Sequence, residues 1–412
     1  MYKILFIILL FVSTSFAYKL NDADLKALKE LGLESSFVEQ SLFKEIFDEY
    51  SSDEKISYYD NLLRKSSLNM QIVKDEIEKE NLPSAVFFIP LIESSFVNQS
   101  KSKNSPAGLW QIIPQTAKSL RLRVDESIDE RLDLIKSTDA AGSYLKKYHV
   151  RLKKWYLALI AYTCGEGRVI EGITRATIDE YLEQNPQIVD DISIRSYKNS
   201  LDNYKKTKQG LSDLYDIFDS LQRKGYKFSF SYLIANNDRN DYLPSKSLDY
   251  ISKIVAFSIL SERDEFKSID KKAKYELAIV KAPNALQLKS IANAISMNYN
   301  EFKNLNKHIK KEILPTDSKK YNIYIPKGKL DSYNQKIAII RPSKEVVVNN
   351  SKQINTNKNS NKPIIYTIKK GDTLESIAKK HNVSIKKLKL IERKDNKSKL
   401  LKIGDKIEII KS

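Results

Sequence analysis

The chain has 412 residues, of which 41% are hydrophobic and 30% are charged. That length exceeds one ordinary core and predicts two to four domains of roughly 100–200 residues each. The net charge of +18 would suit an anionic surface such as nucleic acid, acidic lipid or a wall polymer. A bias toward lysine and asparagine on solvated faces explains the charge more simply, so no nucleic-acid partner is expected.

Scarce cysteine and histidine narrow the kinds of active site that the chain can build. Cys164 is the only cysteine, so no internal disulfide can form. The three histidines, His149, His308 and His381, are dispersed, and no HExxH motif supports a zinc site. The sequence also lacks a GxSxG elbow and a P-loop, although residue counts alone leave a Ser-His-Asp triad open. Bond-cleaving chemistry would therefore depend on carboxylates, with no metal or cofactor.

The first 17 residues have the pattern of a secretory signal peptide. Met1–Lys3 is a short positive start, Ile4–Val12 is a continuous apolar run, and Ser15–Ala17 is a small-x-small cleavage site. An uncleaved membrane anchor is the alternative. No cysteine follows the run, so a lipid anchor is not expected. No later segment reaches the roughly 18 apolar residues of a membrane-spanning helix.

Apolar residues three and four apart predict helices over most of residues 18–262. We assign residues 18–80 to an N-terminal helical arm and residues 81–262 to a mainly α domain. Within this domain, helices are predicted at Ala85–Phe96, Pro114–Leu120, Thr138–Leu152, Trp155–Thr163, Asp179–Asn185, Ile194–Lys206 and Lys246–Ser261. Pro90 lies inside the first of these helices and predicts a kink there.

Two small modules with the order strand-helix-helix-strand follow. Residues 273–330 and residues 364–412 are separated by a polar stretch, residues 343–363, that is typical of a flexible linker. The predicted elements are Tyr275–Val280, Ala285–Ile295, Tyr299–Leu305 and Lys320–Pro326 in the first module, and Ile364–Lys369, Thr373–His381, Ile385–Leu390 and Lys406–Ile410 in the second. The repeated order indicates two copies of one unit, although such short patterns also recur by chance.

Glu93 is the leading candidate for a catalytic group. It follows an almost wholly apolar segment, Ala85–Ile92, so partial burial is expected to raise its pKa. A carboxylic acid that stays protonated near neutral pH can donate its proton to a glycosidic oxygen. The plain alternative is a glutamate that faces solvent at a helix end.

Polar and aromatic residues follow Glu93 in two places. Trp110 and Gln111 end a loop of small residues, and they suit the aromatic and amide contacts of a ligand site. Tyr162 and Thr163 present polar tips at the end of a later helix, just before a Gly-x-Gly stop. A core tryptophan, a surface glutamine and ordinary helix capping are the alternatives.

The segments ESSF, PAGLWQIIP, AYTCGEGRV and YLPSKSLDYISK, in that order, resemble the Slt-type, lysozyme-like lytic transglycosylases over about residues 40–262. The resemblance implies a lysozyme-like α-domain in which Glu93 is the single catalytic acid and base. It also implies substrate-binding roles for Ser102 beside the N-acetyl group or the attacking hydroxyl, Trp110 in the cleft wall, Gln111 lining the cleft, Tyr162, Thr163 and Tyr250.

Three places depart from the pattern of that family. Thr163 stands in place of the usual asparagine, Lys246-Ser247 in place of Glu-Thr, and Ser105-Pro106 in place of Gly-Ala. A hydroxyl lacks the reach and the two donors of an amide. The first two departures therefore bear on substrate positioning and not on the acid itself.

The C-terminal module resembles a LysM domain through Tyr366–Leu374, Ile377-Ala378, Val383 and Gly404–Ile407. The resemblance implies that N-acetylglucosamine is bound by Gly371, Asp372, Thr373 and Leu374, and by about residues 396–401. Helix capping by Asp372 or Thr373 is the plain alternative. Residues 273–330 resemble a degenerate LysM-like copy that lacks the Gly-Asp-Thr turn, so no glycan binding is expected there.

These resemblances imply a peptidoglycan lytic transglycosylase that cleaves the β-1,4 bond between N-acetylmuramic acid and N-acetylglucosamine and leaves a 1,6-anhydromuramoyl end. An ordinary glycosidase needs a second carboxylate roughly 5–9 Å away, for which Glu166 and Glu171 are candidates by sequence. The family resemblance assigns Glu166 a structural role instead. We expect a monomeric periplasmic enzyme acting on glycan strands. A non-catalytic wall-binding scaffold and a hydrolytic muramidase are the alternatives.

Overall fold

The computed structural model describes most of the chain after its N-terminal segment: residues 20–99, 102, 104–189, 191–263, 273–317, 320–340, 364–369, 371–381, 383–392 and 403–409. The chain divides into two compact units, Met1–Arg341 and Pro342–Ser412. The predicted signal peptide, residues 1–17, and the predicted linker, residues 343–363, lie outside the described residues.

The first unit is mainly helical, as the sequence predicts. Its successive helices before the first strand are α1 Asp22–Leu31, α2 Ser41–Tyr50, α3 Asp53–Lys65, α4 Ser67–Lys79, α5 Phe88–Ser94, α6 Pro114–Ser119, α7 Leu134–Leu152, α8 Trp155–Cys164, α9 Glu166–Gln184, α10 Ile192–Thr207, α11 Leu211–Arg223, α12 Phe230–Asn240 and α13 Ser245–Leu260. Short 3-10 helices occur at Ser35–Glu39, Ser84–Phe87, Glu130–Leu132 and Pro186–Ile188.

Helix α8 is the centre of the first core. Its residues from Tyr156 to Ala161 are all buried, and it packs against α1, α7, α9 and α13. A helix that is apolar on every face gains stability only when other elements surround it. These surrounding helices fix the position of α8. They therefore also fix the positions of Tyr162 and Thr163, the polar residues at its end.

Two of the predicted helices differ in the structure. The predicted helix Ala85–Phe96 is a 3-10 turn followed by α5. Pro90 falls in the first turn of α5, where a backbone N–H has no partner within the helix, so the proline is accommodated there without the loss of a helical hydrogen bond. The predicted helix Asp179–Asn185 is the last part of the much longer α9. That helix starts directly after Gly165, whose φ of 83° lies in the region that favours glycine. Helices α11 and α12 were not predicted.

The last part of the first unit is a two-stranded antiparallel sheet with helices beside it. Strands β1 Leu277–Ala282 and β2 Tyr321–Pro326 pair from Leu277↔Pro326 to Ala282↔Tyr321. The helices are α14 Leu288–Ala294, α15 Tyr299–Leu305 and α16 Leu330–Lys336, with short 3-10 helices at Lys327–Lys329 and Ile337–Ile339. The predicted order of strand, two helices and strand is confirmed. These elements build a second core, which Ile128 of the helical part also enters.

The second unit contains a three-stranded antiparallel sheet in the order β3-β5-β4. Its elements are β3 Ile364–Thr367, α17 Leu374–His381, a 3-10 turn at Ile385–Lys387, β4 Leu388–Glu392 and β5 Lys406–Ile409. The predicted helix Ile385–Leu390 is wrong, because β4 pairs with β5 through Leu388↔Ile409 and Leu390↔Ile407. Periodicity cannot separate a strand from a helix in so short an apolar run.

A carboxyl pair lies between α4 and α7 and makes this packing sensitive to pH. Burial and the nearby Glu76 raise the pKa of Asp139 to about 6. A proton held more tightly in the folded state contributes stability at low pH. This contribution is full below the ordinary Asp pKa of about 3.9 and is lost as the pH rises through about 6.

Replacing Asp139 by asparagine should remove this pH dependence. Because the site is partly solvated, we expect the Asp139→Asn variant to be more stable than the parent by about 1 kcal/mol at slightly alkaline pH. Urea unfolding across the acid-to-alkaline range measures the difference, with Asp216→Asn, an exposed site on α11, as control. Equal pH dependence of the parent and the Asp139 variant would contradict the assignment.

Candidate active site around Glu93

Glu93 stands at the end of α5, where the chain turns sharply. The residues before it, including Pro90 and Leu91, are buried, whereas Glu93 itself is half-buried. Ser95 and Phe96 both take left-handed φ angles, 53° and 55°, which are costly for residues with side chains. The turn persists because Phe96 is fully buried and its N–H donates to the Pro90 carbonyl at 3.1 Å. The acid is therefore fixed at a rigid helix end.

Two tyrosines flank the carboxyl group of Glu93. Burial raises its pKa, and the Tyr250 hydroxyl lowers it in part. Tyr250 comes from α13 and Tyr162 from α8, and burial together with the charge of Glu93 holds the pKa of both hydroxyls well above the usual range. The Tyr250 hydroxyl is buried without a hydrogen-bond partner of standard geometry among the described residues. Both phenols thus stay neutral and can donate a hydrogen bond.

The loop that follows Glu93 comes back beside it and forms a tight turn, which contains Leu109, Trp110 and Gln111. Ser94 Oγ lies 2.8 Å from the Leu109 carbonyl, and the Tyr162 hydroxyl donates to the Trp110 carbonyl at 2.5 Å. These bonds tie the turn to α5 and α8 at once. Gln111 has a left-handed φ of 45°, and its side-chain amide donates to the Gly108 carbonyl at 2.8 Å. Gln111 is thereby folded onto its own turn and remains half-buried.

Trp110 does not form a wall of a cleft. Its side chain has 0% exposure, and its indole N–H donates to Thr138 Oγ1 at 2.9 Å inside the core. A sugar can stack only on an exposed ring face, so the prediction of a cleft-wall aromatic is wrong for Trp110. Trp110 instead anchors the turn against α7. The alternative interpretation, a core tryptophan, is confirmed.

Arg131 supports the turn from the protein interior. This role was not predicted from the sequence. The guanidinium is fully buried, pairs with Asp129 at 2.8 Å and donates to the Ser105 carbonyl at 2.7 Å. The turn also needs Gly108, since a Cβ atom there would lie 1.9 Å from the Arg131 carbonyl oxygen. The sequence carries no signal for this contact beyond the glycine itself, because a charged side chain predicts exposure.

Two of the three departures from the family pattern, Thr163 and Ser247, contact each other. The Thr163 hydroxyl is 2.7 Å from Ser247 Oγ and 2.8 Å from the Ile160 carbonyl. Thr163 is exposed and Ser247 is buried, so the serine fixes the rotamer of the threonine at the end of α8. Lys246 is exposed. A ligand would therefore meet the hydroxyl oxygen and the methyl group of Thr163, where the family usually presents the amide of an asparagine.

Ser102 lies in the loop between Glu93 and the turn. Its side chain is exposed, and its Oγ is 2.7 Å from Ser105 Oγ. The neighbouring residues 100, 101 and 103 are outside the described part of the chain. Its exposure makes the Ser102 side chain accessible to a ligand.

Other carboxylates near these helices are already engaged. Glu166 pairs with Arg151 and accepts a hydrogen bond from the Tyr215 hydroxyl at 3.1 Å. Glu171 pairs with Arg168 and, at 2.6 Å, with Arg175. Among the described residues, no second carboxyl contributes to the pKa shift of Glu93. In the same part of the chain, no group of three or more His, Cys, Asp or Glu residues is placed to hold a metal ion.

The second unit has a compact turn at the predicted glycan-binding residues. Gly371 has a φ of 90°, and Asp372 accepts hydrogen bonds from the Tyr366 hydroxyl at 2.9 Å and the Lys369 N–H at 2.8 Å. These bonds hold the pKa of Asp372 below its usual range. Thr373 caps the start of α17, where Leu374 is the first residue, through reciprocal bonds with Ser376. Residues 396–401 lie outside the described residues.

Comparison with known families assigns the class of each domain. Residues 70–185, which contain Glu93, match the model of the transglycosylase SLT domain. Residues 276–341 match the LysM-like domain of lytic transglycosylase MltD, and residues 366–409 match the LysM domain. The chain therefore carries an SLT transglycosylase domain followed by two modules of LysM type, and the predicted family resemblance is confirmed.

Three individual relatives are similar to the chain. The membrane-bound lytic murein transglycosylase D of Escherichia coli (strain K12) and its counterpart in E. coli O6:H1 (strain CFT073 / ATCC 700928 / UPEC) are each 24% identical over 338 residues, 81% of this chain. The chain spans 61% of the length of these two relatives. A protein of Alteromonas sp. (strain M-1), named for tributyltin chloride resistance, is 40% identical over 100 residues, 24% of this chain and 48% of its own length.

Proposed function

We propose that this chain is a peptidoglycan lytic transglycosylase with Glu93 as its catalytic acid and base. One observation carries the proposal. Glu93, within the residues that match the SLT domain, is a half-buried glutamate with a raised pKa, and it lies next to two neutral tyrosines, the half-buried Tyr162 and the buried Tyr250. A protonated carboxylic acid in such a setting suits proton donation to a glycosidic oxygen. The two other carboxylates that the sequence offered, Glu166 and Glu171, are paired with arginines, which favours a mechanism with one acid.

The first step breaks the glycosidic bond. Protonated Glu93 gives its proton to the oxygen between N-acetylmuramic acid and N-acetylglucosamine, and the C1–O bond of the muramoyl residue breaks. The electron pair leaves with the departing oxygen, which becomes the hydroxyl group of the released sugar. The acetamido group of the substrate stabilises the positive charge at C1. Glu93 is left as a carboxylate, which the Tyr250 hydroxyl stabilises.

The second step closes the anhydro ring. The Glu93 carboxylate takes the proton from the C6 hydroxyl of the same muramoyl residue, and that oxygen bonds to C1. Glu93 is protonated again, no water is consumed, and the product is a 1,6-anhydromuramoyl end. The exposed side chains Ser102 and Thr163, with Gln111, are proposed to position the glycan.

The proposed setting is the periplasm, with glycan strands as the partner. Relatives of the chain are named as membrane-bound murein enzymes. In the described part of this chain, no helix has both the length and the apolar character needed to cross a membrane. We propose that the enzyme is exported and monomeric, and that the LysM domain holds it on its polymer through the turn at Gly371–Leu374. Linking two binding sites raises the local concentration of substrate at the catalytic one.

Product analysis separates the proposal from its alternatives. Purified sacculi are digested with the full chain, and the released muropeptides are identified by mass spectrometry. Anhydromuramoyl ends are the expected product. Reducing muramoyl ends would favour a hydrolytic muramidase. No release together with intact sedimentation on sacculi would favour a non-catalytic wall-binding scaffold.

Tyr250 should set the alkaline limit of the reaction. Its hydroxyl lowers the pKa of Glu93, so Tyr250→Phe is expected to raise that pKa further. Because the first step needs protonated Glu93, activity falls as the pH rises through this pKa. The alkaline limb of the pH–rate profile should therefore move to higher pH in the variant. Tyr58→Phe, which changes an exposed ring on α3, is the matched control. An alkaline limb that stays in place or moves down would refute the assignment.

A further inference from the structure

The MltD-type LysM-like module, residues 276–340, is built into the SLT domain. Ile309 of the module pairs with Ile128 in an antiparallel bridge, and both side chains are buried. The Asp129 N–H donates to the His308 carbonyl at 2.8 Å, and the Lys310 N–H donates to the Ser127 carbonyl at 2.9 Å. Backbone pairing and shared burial make this contact a fixed interface within the first unit.

Lys307 reaches from this interface to the active-site loop. Its Nζ donates to the Asn98 carbonyl at 2.9 Å, and its side chain is half-buried, which lowers its pKa. Asn98 is buried five residues after Glu93, and its side-chain amide donates to the Leu132 carbonyl at 2.8 Å. The next carbonyl, that of Gln99, accepts the Gly108 N–H at 2.9 Å. Lys307 thus holds the part of the loop that joins α5, the helix of Glu93, to the tight turn.

A second contact reaches the turn by way of α7. The Tyr324 hydroxyl of β2 bonds to Asp133, whose carboxylate caps α7 by accepting the Lys136 N–H at 3.0 Å. The same helix carries Thr138, which accepts the indole N–H of Trp110. The module therefore supports the loop after Glu93 from two directions.

We infer that the module of residues 276–340 braces the active-site loop, and that Lys307 is a positioning residue for glycan cleavage. The inference rests on the proposed function. It gives this module a role other than glycan binding: an ammonium group fixes a buried backbone carbonyl of the loop that presents Ser102 and Gln111. A small misplacement of binding groups reduces activity even when the catalytic acid is untouched.

The test compares three variants of the full chain. Lys307→Met keeps the apolar stem and removes the donor, Lys307→Arg keeps a cationic donor, and Lys310→Met removes the exposed Nζ that donates to the Asp125 carbonyl at 2.9 Å in the same interface. Activity is measured on soluble glycan strands as anhydromuramoyl ends formed. Thermal unfolding and sedimentation with sacculi are measured alongside it.

We expect Lys307→Met to lower kcat/KM about tenfold, mainly through KM, because the loop binds substrate while Glu93 still supplies the proton. The alkaline limb should stay in place, Lys307→Arg should recover most of the activity, and Lys310→Met should match the parent. Equal activity of Lys307→Met and the parent, or a loss in step with the loss of folded protein, overturns the brace alone. A parent enzyme that forms no anhydro ends overturns the proposed function and the brace with it.

Discussion

Glu93→Gln is expected to lower the release of anhydromuropeptides from sacculi by about 10²–10⁴-fold, the range that general acid–base catalysis contributes. Glutamine has the shape of glutamate but cannot give a proton to the glycosidic oxygen or take one from the C6 hydroxyl. Both steps of the proposed mechanism therefore fail at the same atom. The variant should fold like the parent, because burial of the charged form at this site is unfavourable and an amide removes that cost.

The matched control for this substitution is Glu45→Gln, which changes an exposed carboxyl on α2. It should cleave at the rate of the parent. Sedimentation with sacculi should be the same in all three proteins, since the LysM domain is unchanged. Undiminished release by Glu93→Gln would remove Glu93 from the mechanism.

Arg131→Met is expected to destabilise the SLT domain by about 3–5 kcal/mol, the usual cost of removing one partner of a buried ion pair. Asp129 has 3% exposure and would be left as an uncompensated buried charge. The Ser105 carbonyl would also lose the guanidinium as its donor, and the Ile112 carbonyl would keep the Ala107 N–H alone. Because the same guanidinium supports the turn that carries Gln111, cleavage should fall as well as stability.

Tryptophan fluorescence during urea unfolding measures this effect. The only two tryptophans, Trp110 and Trp155, both belong to the helical part, so the signal reports on that domain. Arg131→Lys should be intermediate, since an ammonium keeps the charge and lacks the guanidinium fork. Arg195→Met, on the exposed face of α10, is the control. A midpoint for Arg131→Met within error of the parent would contradict the role given to the buried pair.

Sequence patterns predicted the local features of this protein well. The helix at Tyr299–Leu305 is found at the predicted bounds, and α8 differs from its prediction by one residue. Burial of Glu93 followed from the apolar residues directly before it. Local predictions of this kind succeed because the neighbours that decide them lie within a few positions along the chain.

Features that depend on distant residues could not be predicted. Arg131 meets Ser105 across 26 positions, Thr163 meets Ser247 across 84, and Lys307 meets Asn98 across 209. Trp110 was misassigned for the same reason, since only the packing of the turn against α7 shows that the ring points inward. The periodicity of apolar residues indicates which face of a helix or strand is buried. It does not indicate which other element packs against that face.

The central claim is that one carboxyl group cuts the glycan without water, and digestion in water labelled with heavy oxygen tests it most directly. Sacculi are treated with the full chain in labelled water, and the muramoyl ends are analysed by mass spectrometry. Ring closure by the C6 hydroxyl predicts anhydromuramoyl ends that carry no label, and none of these ends from Glu93→Gln. Reducing muramoyl ends that carry the label at C1 would contradict the account and identify the chain as a hydrolase.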